Sequence, residues 1–362
     1  MDLEALKRTE AHYDLHAGKH QSAEEALRAR RDGEAAPLKQ FHNKIKREMI
    51  YRFAWQADSL LDFACGRGGD LQKWFDAGVK YVKGIDLSPR EVEEAQRRYA
   101  SEKALPRRQG AALQAEFMAS PELGLSAWLE PREFDAVTCM FALHYFFASE
   151  RTLRTFLGNV ARNLKPGGYF FGTVASGRRV QETIKRSGRW PSLRLKMLAL
   201  DARWRGEAAP FGCAYNCAIG DTVTQGVQDA NEGSLEYLVY ASPLAAVAAQ
   251  HGLTPLTDWG APELEGFFDE ADRGKLLKHF QPKFPPTCDA SLAQASSLFA
   301  AFAFQKGAAP GAPTSAQLPE DMRPRASAAK RPRDEGPPAA APAPAPGLPG
   351  EAVGDGGAPM EE

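Results

Sequence analysis

Short apolar runs alternate with amphipathic stretches between residues 58 and 306. Five of the apolar runs have the length and composition of strands. They are SLLDFA (59–64), YVKGID (81–86), AEFMAS (115–120), FDAVTCMFAL (134–143) and YFFGTVAS (169–176). Helical patterns separate most of these runs, and strands that alternate with helices pair in parallel and are covered on both faces. The pattern therefore predicts an α/β fold with a doubly wound, mostly parallel sheet.

The predicted helices carry local signals for where they begin and end. GDLQKWFDAG (69–78) follows a glycine-rich loop, and SPREVEEAQRRYASEKA (88–104) begins with Ser88 as N-cap and Pro89 in its first turn. We expect TLRTFLGNVARNLKPGG (152–168) to end at its Pro and Gly, where KPGG would reverse the chain ahead of the fifth strand. Sheets of this kind bind ligands beyond the carboxyl ends of their strands, near the point where strand order reverses.

Composition divides the chain into three regions. Residues 1–57 are mostly polar and predict helices with few apolar residues to bury, and residues 58–306 form the α/β domain. Residues 307–362 are rich in Pro, Ala and Gly, and lack the large apolar residues that offset chain entropy, so we expect a disordered tail. The basic cluster Lys330–Arg333 within that tail is a weak nuclear import signal.

The overall composition is that of a soluble globular protein, with 43% hydrophobic and 25% charged residues. No apolar run is long enough to cross a bilayer, and the first residues lack a signal-peptide core, so we expect no membrane partner. The five cysteines have no spacing typical of a disulfide framework, and Cys213 with Cys217 makes no complete metal site. A reducing compartment, cytosol or nucleus, and no bound metal are expected.

The net charge of −1 hides one strongly basic segment. Residues 178–205 hold nine Lys or Arg and two acids, Glu182 and Asp201. Such a segment could bind a polyanion such as RNA, or it could be a solvated face beside an acidic surface. Charge alone leaves both interpretations open.

The loop in LDFACGRGGDLQKW (61–74) carries the clearest chemical signal. It lacks the GxxxxGK[ST] spacing of a phosphate loop and the first glycine of a GxGxxG dinucleotide loop. A loop for S-adenosylmethionine needs an acid before the glycines and a second acid after the next strand, and Asp62 and Asp86 occupy those places. Glycine permits a tight turn and close approach to a ligand, the following helix offers N–H groups to a carboxylate, and Asp86 can accept the ribose hydroxyls. Ala64 needs no special explanation if its backbone angles are ordinary.

The second half of the sheet favours S-adenosylmethionine over a dinucleotide. A strand, a polar stretch after it, a helix and the turn LKPGGYFFGT follow in the order typical of class I methyltransferases. Beyond that, the chain resembles the eukaryotic messenger RNA cap guanine-N7 methyltransferases from residue 11 to residue 306. The resemblance rests on eight segments in the right order: HYD, FHNKIK, LDFACGRGGDLQKW, FALHYFF, LKPGGYFFGT, FGCAYNC, EYLVY and AAFAFQK.

This resemblance implies a class I, Rossmann-like methyltransferase fold with a seven-stranded sheet, N-terminal helices packed on the domain and cap-binding insertions. It implies S-adenosylmethionine as methyl donor and capped mRNA as substrate, with N7 methylation by in-line displacement. Other capping enzymes, RNA polymerase II or an activating subunit are implied as partners. The donor site would include Lys46, Ala64, Gly66, Asp86, Ser120, Met140 and Tyr145. The cap site would include His42, Asn43, Arg67, Lys73, Arg98, His144, Glu236 and Phe299.

The implied roles fit the chemistry of a cap. Arg67, Lys73 and Arg98 would face its three linked phosphates, and Glu236 would accept hydrogen bonds from the guanine N1–H and exocyclic amine. His144, Tyr145 and Phe299 would stack on or edge the base, which makes His144, Tyr145 and Glu236 the catalytic set. Guanine N7 carries no proton, so no general base is expected.

Four positions depart from the family pattern. Ala64 stands for a usual Gly, His42 for Asn, Ser120 for the Asp that contacts adenine, and Met140 for Gln. Glu122 is a second candidate for the adenine contact. Two other functions remain open: a class I methyltransferase acting on a small molecule or protein, and a catalytically silent cap-binding scaffold.

Overall fold

The computed structural model describes residues 33–222 and 233–307, all of which belong to one compact unit, Met1–Ser327. The five predicted strands form β1 (Leu60–Phe63), β2 (Tyr81–Asp86), β3 (Gln114–Ala119), β4 (Phe134–Met140) and β5 (Leu164–Ala175). The remaining strands are β6 (Ser192–Arg194), β7 (Leu198–Ala202), β8 (Ala214–Ile219), β9 (Ser234–Tyr237), β10 (Leu253–Pro255), β11 (Lys278–His279) and β12 (Phe299–Lys306). The helices are α1 (Ala36–Ala54), α2 (Leu71–Asp76), α3 (Pro89–Lys103), α4 (Glu150–Asn163), α5 (Gly177–Arg186), α6 (Ala241–Ala249), α7 (Pro262–Glu265) and α8 (Ala290–Ser297).

The main sheet has the strand order β10-β12-β5-β4-β1-β2-β3, and β11 pairs with the free part of β12. Strands β1 to β5 are mutually parallel, whereas β12 is antiparallel to β5 and to β10. This confirms the doubly wound, mostly parallel sheet; the seven strands of the main path match the expected number, and the two-residue β11 is an eighth. Strand order reverses between β1 and β4, so a crevice is expected beyond the carboxyl ends of these two strands.

Local signals set the helix ends, with one correction. Ser88 caps α3 by accepting a hydrogen bond from the Glu91 N–H (3.1 Å), as predicted. Helix α4, however, ends at Asn163, and LKPGG belongs to β5. Phe134 pairs with Leu164 and Ala136 with Tyr169, so residues 165–168 form a bulge in the strand. A Cβ at Gly168 would lie 2.8 Å from the Asp135 carbonyl oxygen, and only glycine tolerates this close backbone approach.

Helix α1 contributes more to the core than its polar composition suggests. Ile45, Met49 and Phe53 are buried on one face of the helix, at spacings of four residues. The Phe53 ring lies 5.2 Å from the Phe171 ring of β5. The helix therefore covers one face of the main sheet, and it places Lys46 at the carboxyl ends of the strands.

A second sheet, antiparallel with the order β6-β7-β8-β9, was not predicted from the sequence. The basic segment 178–205 forms α5, β6 and β7 at one end of it. Strand β9 forms the other edge and carries Glu236. A parallel bridge between Ser176 and Val239 brings the chain just after β9 to the end of β5.

The predictions for residues 1–32, which include helix and the HYD segment near residue 12, lie outside the described residues. So do the predicted disordered tail beyond residue 307 and its cluster Lys330–Arg333. Within residues 33–222 and 233–307, the helices are all too short or too polar to cross a bilayer.

Candidate active site

The glycine loop folds around the carboxylate of Asp86. Asp86 ends β2, and its Oδ2 accepts a hydrogen bond from the Gly66 N–H (2.8 Å), while Oδ1 accepts one from the Ser88 N–H (3.0 Å). Gly66 and Gly68 have φ of 50° and 69°, in the left-handed region that glycine adopts readily. Burial raises the pKa of Asp86 to about 6, although the two backbone donors oppose that shift.

The backbone of Ala64 is not ordinary, contrary to the sequence-based expectation. Its φ is 60°, a left-handed conformation that places an L-residue Cβ close to the following carbonyl oxygen. Phe141, at the end of β4, also has a positive φ of 59°. Because strained residues persist where the surrounding structure holds them, and cluster at ligand sites, both positions mark the crevice between β1 and β4 as functional.

A cavity of about 300 Å³ opens at this crevice. All seven residues predicted to bind the donor line it, and so does Arg67: Lys46, Ala64, Gly66, Arg67, Asp86, Ser120, Met140 and Tyr145. Ser120, rather than the exposed Glu122, faces the cavity. Sequence reasoning missed Asp70, Glu91, Leu123 and Phe141 in its wall.

Two buried carboxylates in the cavity wall, Asp62 and Asp70, have pKa values shifted in opposite directions. Burial and the nearby Asp70 raise the pKa of Asp62 to about 7, and the Thr138 hydroxyl donates to Asp62 at 2.5 Å. Burial also acts to raise the pKa of Asp70, but the ammonium groups of Lys46 (2.6 Å) and Lys73 (2.8 Å) outweigh it and hold that pKa well below its usual range. Asp70 of the glycine loop is therefore a fixed anion, paired with Lys46 of α1, a cation that lines the cavity.

A buried polar group adjoins the cavity next to Tyr145. Nε2 of His144 lies 4.0 Å from Oε1 of Glu236, and both side chains are buried. Neither ring nitrogen of His144 has a hydrogen-bond partner among the described residues. Burial lowers the pKa of His144 to about 3 and raises that of Glu236 to about 7, so His144 is neutral at pH 7.

Two residues that sequence reasoning did not assign hold this group in place. The Tyr215 hydroxyl on β8 donates to Oε2 of Glu236 at 2.6 Å, because Tyr215 and Glu236 are directly paired across β8 and β9. The hydroxyl of Tyr145 lies 3.0 Å from the Ser234 hydroxyl. The alternating apolar and polar residues of FGCAYNC and SLEY indicate two strands. Only the register of the two strands reveals that Tyr215 and Glu236 lie opposite each other.

An aromatic cluster separates the cavity from Phe299. The Phe141 ring lines the cavity and packs 5.2 Å from the Phe299 ring in an edge-on contact. The His42 ring stacks on Phe141 (5.1 Å) and lies 5.1 Å from Phe299. Nε2 of His42 lies 2.9 Å from the Ser296 hydroxyl, and burial, aided by Lys46, lowers the His42 pKa to about 3. His42 and Phe299 therefore meet the cavity through Phe141 rather than directly.

The predicted phosphate-facing cations have different surroundings. Arg67 lines the cavity and forms a two-pronged ion pair with Glu91, at 2.6 and 3.1 Å. Lys73 is 4% exposed, pairs with Asp70 and lies outside the cavity wall, so its geometry does not support a phosphate contact. Arg98 pairs with Glu94 on the same helix at 2.5 Å, and Asn43 is exposed on α1; neither lines the cavity.

The site shows no feature of a metal centre in residues 33–222 and 233–307, where no group of three or more His, Cys, Asp or Glu could hold an ion. All five cysteines are free thiols. Cys217 lies within strand β8, and Cys213 just precedes that strand.

A family model described as the mRNA (guanine-N(7))-methyltransferase domain matches residues 4–307. The chain belongs to this family. The match covers every residue of the candidate site, from His42 to Phe299.

Among relatives of known name, the chain is 32% identical over 240 residues to the mRNA cap guanine-N(7) methyltransferase of Schizosaccharomyces pombe, which covers 63% of this chain and 62% of that protein. It is 29% identical over 259 residues to the enzyme of that name from Saccharomyces cerevisiae, covering 68% and 56%. It is 35% identical over 166 residues to mRNA cap guanine-N(7) methyltransferase 1 of Oryza sativa, covering 44% and 45%. The chain therefore spans less than two thirds of the length of these relatives.

Proposed function

We propose that this chain transfers a methyl group from S-adenosylmethionine to N7 of the terminal guanosine of an mRNA cap, by in-line displacement. One observation carries the proposal beyond family membership: neither ring nitrogen of buried His144 has a partner among the described residues, and its Nε2 lies 4.0 Å from Oε1 of Glu236, next to the cavity-lining Tyr145. Buried polar atoms are normally hydrogen-bonded, so such a group calls for a polar ligand. A guanine base supplies donors and acceptors on its edges.

The cavity residues fit the proposed donor. Asp86 presents a carboxylate at the end of β2, where ribose hydroxyls can donate to it, and Lys46 offers a cation to the donor's carboxylate. Leu123, Met140 and Phe146 form an apolar wall for an adenine ring, with Ser120 as its polar neighbour. When bound, S-adenosylmethionine supplies an electrophilic methyl group on a positively charged sulfur.

The residues around the acceptor need to orient a base rather than to remove a proton. Guanine N7 has an exposed lone pair, so no residue has to act as general base. Neutral His144 can donate one hydrogen bond from one ring nitrogen and accept one at the other. Glu236 can accept hydrogen bonds from the guanine N1–H and the exocyclic amine. Tyr215 fixes the Glu236 carboxylate, while Tyr145 borders both the cavity and this polar group. Holding two reactants in a reactive geometry can contribute ~7–11 kcal/mol to lowering a barrier.

Adenine would be rejected at Glu236 for a simple reason. It lacks the N1–H that a carboxylate accepts, and an unpaired buried carboxylate is costly. Arg67 is the cavity-lining cation within the glycine loop, and exchanging Glu91 for a cap phosphate would let its guanidinium bind the triphosphate bridge.

The direct test is methyl transfer from labelled S-adenosylmethionine to GpppG, with GTP and ApppA as comparison acceptors. The proposal expects label on GpppG, at N7, and none on ApppA. Donor binding measured by calorimetry separates the other two functions. Donor binding with no transfer to GpppG would point to a different acceptor, and cap binding without donor binding would indicate a silent scaffold.

Capped mRNA is the proposed partner, and the nucleus the proposed site of action. Membership of a cap-methyltransferase family supports both, and the basic cluster Lys330–Arg333 fits nuclear import. Association with other capping enzymes, RNA polymerase II or an activating subunit follows from the same proposal. Tagged chain with Lys330 and Arg333 replaced by Ser should lose nuclear accumulation if this cluster is the signal.

A further inference from the structure

The basic segment 178–205 contributes two strands to the second sheet, and most of its cations are exposed. Eight of its nine cations are exposed to solvent: Arg178, Lys185, Arg186, Arg189, Arg194, Lys196, Arg203 and Arg205. The ninth, Arg179, pairs with Asp269 at 2.7 Å. The proposed catalytic site uses none of these residues.

Neighbouring acids neutralise only part of this charge. Glu182 pairs with both Arg178 and Arg186, while Asp201 pairs with Arg194 and Glu34 with Lys196. By contrast, Lys185, Arg189 and Arg205 form no ion pair with any described residue. An excess of positive charge therefore remains where α5 meets β6 and where β7 ends.

An exposed indole lies among these cations. Trp190 is 41% exposed, one of two large apolar side chains so exposed among the described residues, the other being Leu129. Its ring packs edge-on against buried Trp204, at 5.3 Å between centroids. Arg189 and Arg205 are the chain neighbours of these two rings. We call Arg189, Trp190, Trp204 and Arg205 the Trp190 patch.

Strand register places the Trp190 patch at the edge of the sheet that carries Glu236, the residue proposed to bind guanine. The Ala202 N–H donates to the Pro191 carbonyl, Ala202 pairs with Tyr215, and Tyr215 pairs with Glu236. Pro191 and Glu236 thus lie at the two ends of one row across four strands. At about 4.8 Å between strands, this row is roughly 14 Å long, a distance that a cap and its first nucleotides can span.

The geometry points to the Trp190 patch as a binding surface for the single-stranded RNA that follows the cap; this inference rests on the proposed function. A half-exposed indole fixed from behind by a second ring offers a flat face on which a base stacks. The adjacent guanidinium groups attract phosphates, and an unstructured chain can present bases and phosphates together. An acidic protein segment would use the cations but gain little from the indole.

Binding of RNA without a cap tests this surface independently of catalysis. The probe is a fluorescein-labelled 5′-hydroxyl RNA of about 12 nucleotides, titrated with the full chain at several salt concentrations and followed by anisotropy. Trp190→Ala should weaken binding by about tenfold, and Trp190→Phe, which keeps a stacking ring, should restore most of the affinity. Arg189→Ser with Arg205→Ser should reduce the slope of log affinity against log salt by about 1.4, or ~0.7 for each lost phosphate contact.

A matched control removes an exposed cation and an exposed apolar side chain elsewhere. Arg151→Ser with Leu129→Ser does so and should leave RNA binding unchanged. Every variant should methylate GpppG at the wild-type rate, while KM for a capped RNA of the probe sequence rises in the patch variants alone. Thermal unfolding checks that Trp190→Ala still folds.

Equal RNA affinity in the Trp190 patch variants and the control would overturn the inference. So would loss of poly-glutamate binding with RNA binding retained, which would assign the patch to an acidic protein partner. If the wild-type chain fails to methylate GpppG while RNA binding still depends on Trp190, the proposed function is wrong, but the RNA surface remains supported.

Discussion

Nε2 of His144 lies 4.0 Å from Oε1 of Glu236, in a buried space that borders the donor cavity through Tyr145. The two residues are 92 positions apart in the chain, since Glu236 is on β9 and His144 follows β4. Burial keeps His144 neutral and raises the pKa of Glu236 to about 7, so neither group carries a firmly fixed charge without a ligand. A bound base would decide both hydrogen-bond patterns.

Replacing the two side chains proposed to bind the guanine base should impair methyl transfer without impairing donor binding. We expect Glu236→Ala and His144→Ala to reduce kcat/KM for GpppG by roughly 100-fold, because each leaves base atoms unpaired in a buried site. Donor affinity, measured by calorimetry, should change less than about twofold, since neither residue lines the donor cavity. An equal loss of donor affinity would mean that the two sites are not distinct.

Asp86 should show the converse behaviour. Asp86→Ala removes the carboxylate proposed to accept ribose hydroxyls, and with it the acceptor for the Gly66 and Ser88 N–H groups. Donor affinity should fall by at least about tenfold, as hydrogen bonds to a charged group contribute ~1.5–3 kcal/mol. Asp58→Ala, at an exposed aspartate outside the cavity wall, serves as the control. Unchanged donor binding in Asp86→Ala would place the donor elsewhere.

Stability should depend on pH through Glu236 with a defined sign. Its pKa in the folded protein is about 7, above the ordinary value of 4.5, so the folded state holds this proton more tightly than the unfolded state. The stabilising contribution is complete below about pH 4.5 and is lost as pH rises through about 7. Its full size is on the order of 3 kcal/mol.

Glu236→Gln should remove that dependence. The difference in free energy of unfolding between Glu236→Gln and the wild type, from urea titrations, should grow in favour of the variant from pH 5 to pH 8. Asp62, whose pKa is also raised to about 7, contributes in the same direction in both proteins and cancels in the difference. A difference that does not vary with pH would show that Glu236 titrates normally.

Ala64→Gly should stabilise the protein. Glycine removes the strain of the left-handed conformation, which should raise the free energy of unfolding by ~1–2 kcal/mol. The greater freedom of glycine in the unfolded chain offsets about 0.5–1 kcal/mol of this gain. The net gain should be about 0.5–1 kcal/mol in chemical denaturation. Ala100→Gly, at an exposed position within α3, is the matched change in ordinary helical backbone and should cost about 1 kcal/mol. A loss at Ala64 similar to that at Ala100 would contradict the strain argument.

Lys73 should affect stability rather than cap affinity. Asp70→Asn leaves buried Lys73 without its carboxylate and should destabilise by about 3–5 kcal/mol. Lys73→Met leaves Asp70 paired with Lys46 and should destabilise less, with KM for GpppG unchanged. A rise in KM without loss of stability would restore Lys73 to the phosphate-binding set.

The sequence anticipated the parts of the fold that local chemistry specifies. Ser88 and Pro89 are a favoured N-cap and first-turn pair, and the short apolar run before Ala64 is followed by a glycine-rich loop, as expected for a buried strand. The lining of the cavity was predictable for the same reason, since a glycine loop and the acid after the next strand are close in sequence. The LKPGG segment was assigned wrongly because the close approach of Gly168 to the Asp135 carbonyl is a tertiary contact.

By itself, the sequence determined the order of the five parallel strands and the helices between them, the glycine loop with Asp86, and the residue types of the proposed cap site. The tertiary structure alone decided which of these residues meet. The register of β8 on β9 places Tyr215 opposite Glu236. Packing of α1 on the domain directs the His42 ring into an aromatic cluster with Phe141. The ion pair with Asp70 holds the Lys73 ammonium group outside the cavity. The physical reason is that pairing across strands and desolvation depend on neighbours far along the chain, which no local pattern encodes.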